Sequence, residues 1–272
     1  MIKLLTIELR KILPYRMFWI MAGIYVLSML FIFYGFPSLI DYFSLRSQTE
    51  EIKLLKNFIY NFPDIWQNLT WVSSLRFFIK VMLGIIMVVL ITNEYAYTTI
   101  RNNVISGMSR TDFLLGKVYM AIFLSLLSVL LVITSGLVLG LSFSSVTTIE
   151  AITGKLWFLV GYIVETFSYL VFALMLGLIV KRTGLAISFL FIYPIIELVV
   201  QQQIPESIHP YLPVNAMNHV IRTPNTSLIE YQSPDFDIDL QKYIEGVDIL
   251  VCLGYAALFI FISYLILKKR DL

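Results

Sequence analysis

The chain has 272 residues, of which 58% are apolar, 15% aromatic and only 14% charged, with a net charge of +2 at neutral pH. That much apolar surface cannot be hidden inside a soluble domain of this length, and so small a net charge gives no footing to nucleic acid. The single cysteine, Cys252, lies in an apolar run, which excludes a disulfide framework and a cysteine-built metal centre.

The first turns read as a helix lying in a membrane surface. Wound at 100° per residue, Ile2, Leu5, Leu9, Ile12 and Leu13 share an arc of about 100°, while Lys3 and Arg10 lie off it, near anionic headgroups. Pro14 then breaks this elbow. The following apolar run, 17–40, is longer than a signal-peptide core and has no small-x-small cleavage site after it, so it reads as a retained anchor.

Five further runs approach the roughly 20 residues that a spanning helix needs: 74–93, 117–143, 156–180, 185–203 and 247–267. They are continuous rather than alternating, which favours helices over a barrel. The fold class is therefore an all-α membrane protein of six transmembrane helices, forming one domain over 1–272. An even number of crossings places both termini on one side. Twelve of the twenty basic residues fall in the segments on that side: Lys3, Arg10, Lys11, Arg16, Arg101, Arg110, Lys117, Lys181, Arg182, Lys268, Lys269 and Arg270. These segments are short, whereas the opposite ones, 41–73 and 204–246, are long and hold Asp235, Asp237 and Asp239. The bias predicts that both termini are cytoplasmic.

Residues 93–117 carry the most local information. A short amphipathic helix over 99–106 gathers Ile100, Val104, Ile105 and Met108 on one side, opposite Arg101, Asn102 and Asn103. Gly107 suits a left-handed helix end. Ser109 and Asp112 then stand at capping-box spacing, with Met108 and Phe113 placed as the hydrophobic staple. A helix fixed so firmly at the inner face of a membrane is placed to be touched by a partner.

Three ionisable residues interrupt the spans. Lys80, Glu165 and Glu197 lie roughly 9–14 Å below the outer surface at 1.5 Å per residue. Burial of each costs about 2.5–3.5 kcal/mol at mid-membrane. Lys80 is therefore expected to pair with Glu165 or with Glu197, and Pro194 to loosen the fifth span beside Glu197. Among the long outer segments, 47–60 is amphipathic, 216–222 is expected to form a short helical turn capped by Asn215, and 228–243 is acidic and expected to lie over the outer surface. His209 and His219 have no carboxylate or cysteine at ligand spacing and read as loop residues, so no metal site is expected. No phosphate loop, HExxH or GxSxG motif occurs, and no enzyme chemistry is indicated.

Asn93-Glu94-Tyr95, Thr99-Ile100-Arg101, Gly107, Ser109-Arg110 and Phe113-Leu114-Leu115-Gly116-Lys117 resemble the signature of bacterial type-2 ABC exporter permeases. The likeness extends to the N-terminal elbow, Phe62-Pro63-Asp64-Ile65-Trp66, Tyr193-Pro194-Ile195-Ile196-Glu197 and Leu212-Pro213-Val214-Asn215-Ala216. Thr98 departs from it, standing where the family often has glycine. The resemblance implies a permease subunit of the inner membrane that binds no cofactor itself. ATP and Mg would sit on a separate cytosolic ATP-binding subunit, and a second permease subunit would complete the dimer. Residues 99–106 would be the coupling helix, and Glu94, Thr99, Arg101, Asn102, Asn103, Ser106, Gly107, Ser109, Arg110 and Asp112 would form the coupling region. Two other readings remain open: an ion-coupled secondary transporter using Glu165 and Glu197, and a non-transporting membrane platform of an envelope complex.

Overall fold

A computed structural model describes residues 2–47, 59–74, 79–105, 107–225 and 241–269. All regular structure among the described residues is helical, with no strand among them. In chain order the helices are α1 (Ile2–Ile12), α2 (Arg16–Ser47), α3 (Ile65–Ser73), α4 (Ile79–Ala96), α5 (Thr99–Ile105), α6 (Arg110–Phe143), α7 (Ile149–Thr153), α8 (Trp157–Val180) and α9 (Thr183–Gln201). A 3₁₀ turn over Glu206–Tyr211, then α10 (Pro213–His219) and α11 (Gly246–Lys269), complete the set. Six helices are long and apolar enough to cross a membrane, so the chain is a multi-pass membrane protein.

The helix bounds sharpen two of the predicted spans. Ser74 closes a separate helix, α3, and the described residues of α4 begin at Ile79. The hydroxyls of Thr70 and Ser73 bond back to the carbonyls of Trp66 and Leu69, both at 2.6 Å, near the end of α3. The helix that carries the third span, predicted over 117–143, starts at Arg110, where the Ser109 cap nucleates it, and runs without a break to Phe143. At 34 residues α6 is about 51 Å long, well beyond the roughly 30 Å hydrocarbon layer. The readings of 47–60 and 228–243 fall for the most part outside the described residues.

Helices α4 and α8 form the centre. Their most apolar stretches are 78% and 72% buried, against 17% for both α2 and α9. This contrast sorts centre from rim: α2, α9 and α11 show wide apolar faces outward, as lipid-facing helices must. Small residues set the central spacing. A Cβ on Gly177 would fall 2.0 Å from Cγ2 of Ile91, and one on Gly84 would fall 2.9 Å from the Tyr169 ring. Close approach of this kind is what packs helices in lipid, where no hydrophobic drive exists between them.

The two ends of the bundle differ in how they are tied. At the terminal end lie α1, α5, the 181–182 turn, where the Lys181 ammonium stands 5.2 Å from the centre of the Tyr95 ring, and the last residues of α11. At the far end α3 is tucked among the loops. Its Trp66 indole donates to the Ile152 carbonyl at 2.7 Å, and its Gln67 amide donates to the carbonyls of Thr223 and Gln241. Asp64 just before it pairs with Lys155 at 2.7 Å.

Replacing Gly177 with leucine is expected to push α4 and α8 apart and to destabilise the detergent-solubilised protein by about 1–3 kcal/mol. A thermal-unfolding series would check this, with Gly254→Leu, where a side chain meets open space, expected to stay close to the parent.

Candidate functional site

Beside the predicted partner helix lies a quartet of charges, three of them buried and Lys11 partly exposed. Glu8 lies at the edge of the apolar stripe of α1, next to Leu5 and Ile12, and is 2% exposed. Lys117 lies two turns into α6 on the same face as Phe113 and Ala121, and is 1% exposed. Glu94 stands near the end of α4, also buried. The Lys117 ammonium donates to Glu8 Oε2 at 2.5 Å and to Glu94 Oε1 at 2.8 Å. Lys11, one turn along α1, reaches Glu94 at 3.0 Å and Glu8 at 3.6 Å. Two acids and two bases thus cancel, which is what permits four charges to sit at the base of the bundle.

Glu94 links this quartet to α5. The Thr99 hydroxyl, at the first position of α5, donates to the Glu94 carboxylate and to its backbone carbonyl. Chain reversal on either side of α5 uses left-handed backbone. Thr98 has φ 53°, and Gly107 has φ 93°. The amide of Met108 donates to the carbonyl of Asn103 at 3.0 Å, the six-to-one bond of a Schellman ending. Ser109 then caps α6: its Oγ accepts from the Asp112 amide at 3.0 Å and donates to the Asp112 carboxylate at 2.6 Å. Phe113 is buried and Met108 packs against the same core. Arg110 turns away from α5 and donates to the carbonyls of Leu267 and Lys268, both at 2.8 Å, closing the end of α11.

The predicted residues therefore divide. Glu94, Thr99, Asn102 and Asn103 line one cavity of about 330 Å³ together with Glu8, Lys11 and Lys117. Asn102 and Gly107 are exposed on α5 and its end. Arg110 and Asp112 serve helix ends rather than this cavity. The side chains of Arg101 and Val104, and the whole of Ser106, lie outside the described residues. Ile105 is not on the inward side with Ile100 but 74% exposed, since five positions along a helix amount to about 140° of rotation. Leu13 likewise leaves the α1 stripe because the helix ends at Ile12. Glu8 and Lys117 were absent from the predicted set. Glu8 was legible as an acid bordering the apolar stripe of α1, and Lys117 as a base within the helix that Ser109 starts.

The intramembrane ionisable residues form a second arrangement toward the far end. Lys80 meets Glu165, and both are buried. Lys80 also donates to Asn218 Oδ1 at 2.9 Å, while Glu165 accepts from Ser74 Oγ at 2.9 Å. Of the two carboxylates open to Lys80 in the sequence, Glu165 is thus its partner. Glu197 instead accepts the backbone amides of Val214 and Asn215, at 2.8 and 2.9 Å, at the start of α10. Asn215 is accordingly not the cap of a helix over 216–222. The helix starts at Pro213, a residue suited to the first turn, and Glu197 takes the free amides from outside. His219 bonds to Asp248 at 3.1 Å, and Arg222 bonds to Asp248 and Glu245, both at 2.9 Å. Burial opposes the Arg222 charge, and those two carboxylates outweigh it, raising the pKa above the ordinary guanidinium value. Among the described residues no cluster of three metal-ligating side chains occurs.

Spanning helices around buried, compensated ion pairs define a polytopic helical membrane protein. The chain belongs to the family DUF2705, described as a protein of unknown function, which matches residues 39–272. That stretch includes Lys80, Glu94, Lys117, Glu165 and Glu197. No curated protein matches the chain.

Two outcomes are expected at this site. Lys117→Met leaves Glu8 and Glu94 facing one remaining base and should cost about 3–5 kcal/mol of stability, with part of it regained when Glu94→Gln is added; thermal unfolding of the three proteins measures both steps. Thr98→Gly should raise stability by about 1 kcal/mol, since a β-branched residue is held in left-handed backbone there. A fall in midpoint for Thr98→Gly would show that the hydroxyl matters more than the backbone strain.

Proposed function

We propose that the protein is the transmembrane subunit of an ATP-driven ABC transporter, exporting a hydrophobic or amphipathic substrate. ATP and Mg bind on a separate cytosolic subunit, two permease subunits complete the assembly, and both termini face the cytoplasm. The observation that carries this reading is α5. It is a two-turn helix closed at both ends by left-handed backbone, with Asn102 and Ile105 exposed, and anchored through Thr99 and Glu94 to Lys117 of α6. A lever driven by an ATPase needs a fixed register with respect to the spans and a face free to be gripped, and α5 supports both requirements. The resemblance of residues 93–117 to the coupling segment of type-2 exporters supplies the identity of the gripping partner.

The ion-coupled reading has less support. Glu165 is neutralised by Lys80, and Glu197 is engaged by the backbone of α10. The platform reading shares the ATPase contact and differs in predicting no substrate-stimulated hydrolysis.

Isolation of the tagged protein from its native membrane in mild detergent is expected to bring down, in stoichiometric amount, a protein of ATPase-domain size with a phosphate loop. Asn102→Glu combined with Ile105→Glu alters only exposed side chains and should abolish that association while membrane insertion stays normal. Undiminished association in this variant overturns the assignment of α5; absence of any such ATPase from the parent overturns the ABC reading.

A further inference from the structure

Helix α10 has only seven residues, too few to hold itself together, and it is seated by side chains from three spans. Glu197 of α9 takes its first free amides, Lys80 of α4 holds Asn218, and Asp248 of α11 holds His219. Through Asn218, α10 also covers the Lys80–Glu165 pair. One of the three attachments differs from the others. Helices α4 and α11 are fixed elsewhere, α4 by its burial and α11 by Arg110 at its other end. Helix α9 is fixed by Thr183, which bonds to Thr92 at 2.8 Å, and by Leu190, which packs against Gly84. Beyond Leu190 the one buried residue of α9 is Glu197, while Ile195, Ile196, Leu198 and Val199 are all about half exposed. Pro194 has no amide to offer the Leu190 carbonyl, so the helical ladder lacks a rung between the fixed part and Glu197.

We propose that α10 is a strap over the Lys80–Glu165 pair and that the segment of α9 beyond Pro194 is the arm that seats and releases it, with Glu197 as the joint. Swinging this arm draws the carboxylate off Val214 and Asn215. Helix α10 then loses its N-terminal cap and opens toward the cavity of about 430 Å³ on its other side, lined by Tyr211, His219, Arg222 and Asp248. Water and any polar group of a passing solute gain access to the buried pair. The inference rests on the far end of the bundle alone and stands whether or not an ATPase drives the protein.

Cysteine accessibility tests it. Cys252 is buried and hydrogen-bonded to Ser168, so Cys252→Ser gives a background without reactive thiols. Ala216→Cys places a reporter in α10 beside the cavity at a buried position, and Ala173→Cys places a control in the centre of α8. In lipid nanodiscs, where both faces are reachable, a charged maleimide should label the Ala216→Cys reporter slowly. Adding Glu197→Ala removes two charge-assisted hydrogen bonds and should raise that rate about tenfold or more. Glu197→Gln, with one acceptor left for two amides, should give a smaller rise. Pro194→Ala restores the missing rung and should lower the rate. The Ala173→Cys control should stay unreactive throughout. An unchanged rate in Glu197→Ala overturns the strap, and an unchanged rate in Pro194→Ala overturns the hinge. A parallel rise at Ala173→Cys reduces the effect to general loosening and overturns the proposal as well.

Discussion

Lys117 is held between Glu8 and Glu94, and the whole terminal end of the molecule is arranged around that ammonium. A lone charge at this depth costs several kcal/mol, so the fold must bring two acids to it from distant parts of the chain. Glu8 arrives on a helix that does not cross the membrane, and Glu94 on a span that does. The demand for neutrality then fixes α1 against α6, and α6 against the end of α4. Lys11 balances the second carboxylate. Because Glu94 also receives the Thr99 hydroxyl, the position of α5 follows from the same requirement. The amphipathicity of α1 would bind it loosely to any membrane surface; the buried pair gives it one place.

The far end obeys the same rule with different means. Lys80 and Glu165 neutralise one another between the two central helices, and the remaining polar valences are met by Ser74 and Asn218. Glu197 is satisfied by peptide amides at the positive end of a short helix. Between these two polar layers the packing is apolar and close, set by Gly84 and Gly177. The molecule thus has a rigid α4–α8 spine, with charge-bearing attachments above and below, and a rim of helices that meet it on narrow faces.

How much of this was legible depends on what surrounds each residue. Lys80, Glu165 and Glu197 announce themselves because each interrupts an otherwise apolar run. Their partners outside the spans did not, since Asn218 and the amides of Val214 and Asn215 lie in a proline-rich loop with no periodicity to show that it folds back. Lys117 was hidden by its position. A basic residue at the start of an apolar run is ordinarily read as a topology signal, and only the cap at Ser109, two turns earlier, reveals that it lies within a helix. Capping chemistry was the most legible feature, because Gly107, Ser109 and Asp112 act through local geometry that neighbours cannot override. The end of α3 at Ser73 was the least legible: serine and threonine hydroxyls that bond back along a helix leave no mark in a composition profile.

The contrast between α4 and α9 carries the argument one step further. Both span the membrane and both bear a buried ionisable residue, yet α4 is enclosed on nearly every side and α9 on only one narrow face. A buried charge in an enclosed helix is locked, because moving it would drag the core along. The same charge on a peripheral helix is held by its own bonds alone, so its bound state can be exchanged for another without repacking the centre. Placing Glu197 after Pro194 concentrates that freedom in the last two turns of α9. A molecule assembled this way can change shape at its rim and far-end loops while the Lys80–Glu165 and Lys117–Glu94 ion pairs stay formed. That division of labour keeps the terminal end in one register while leaving the far end free to move.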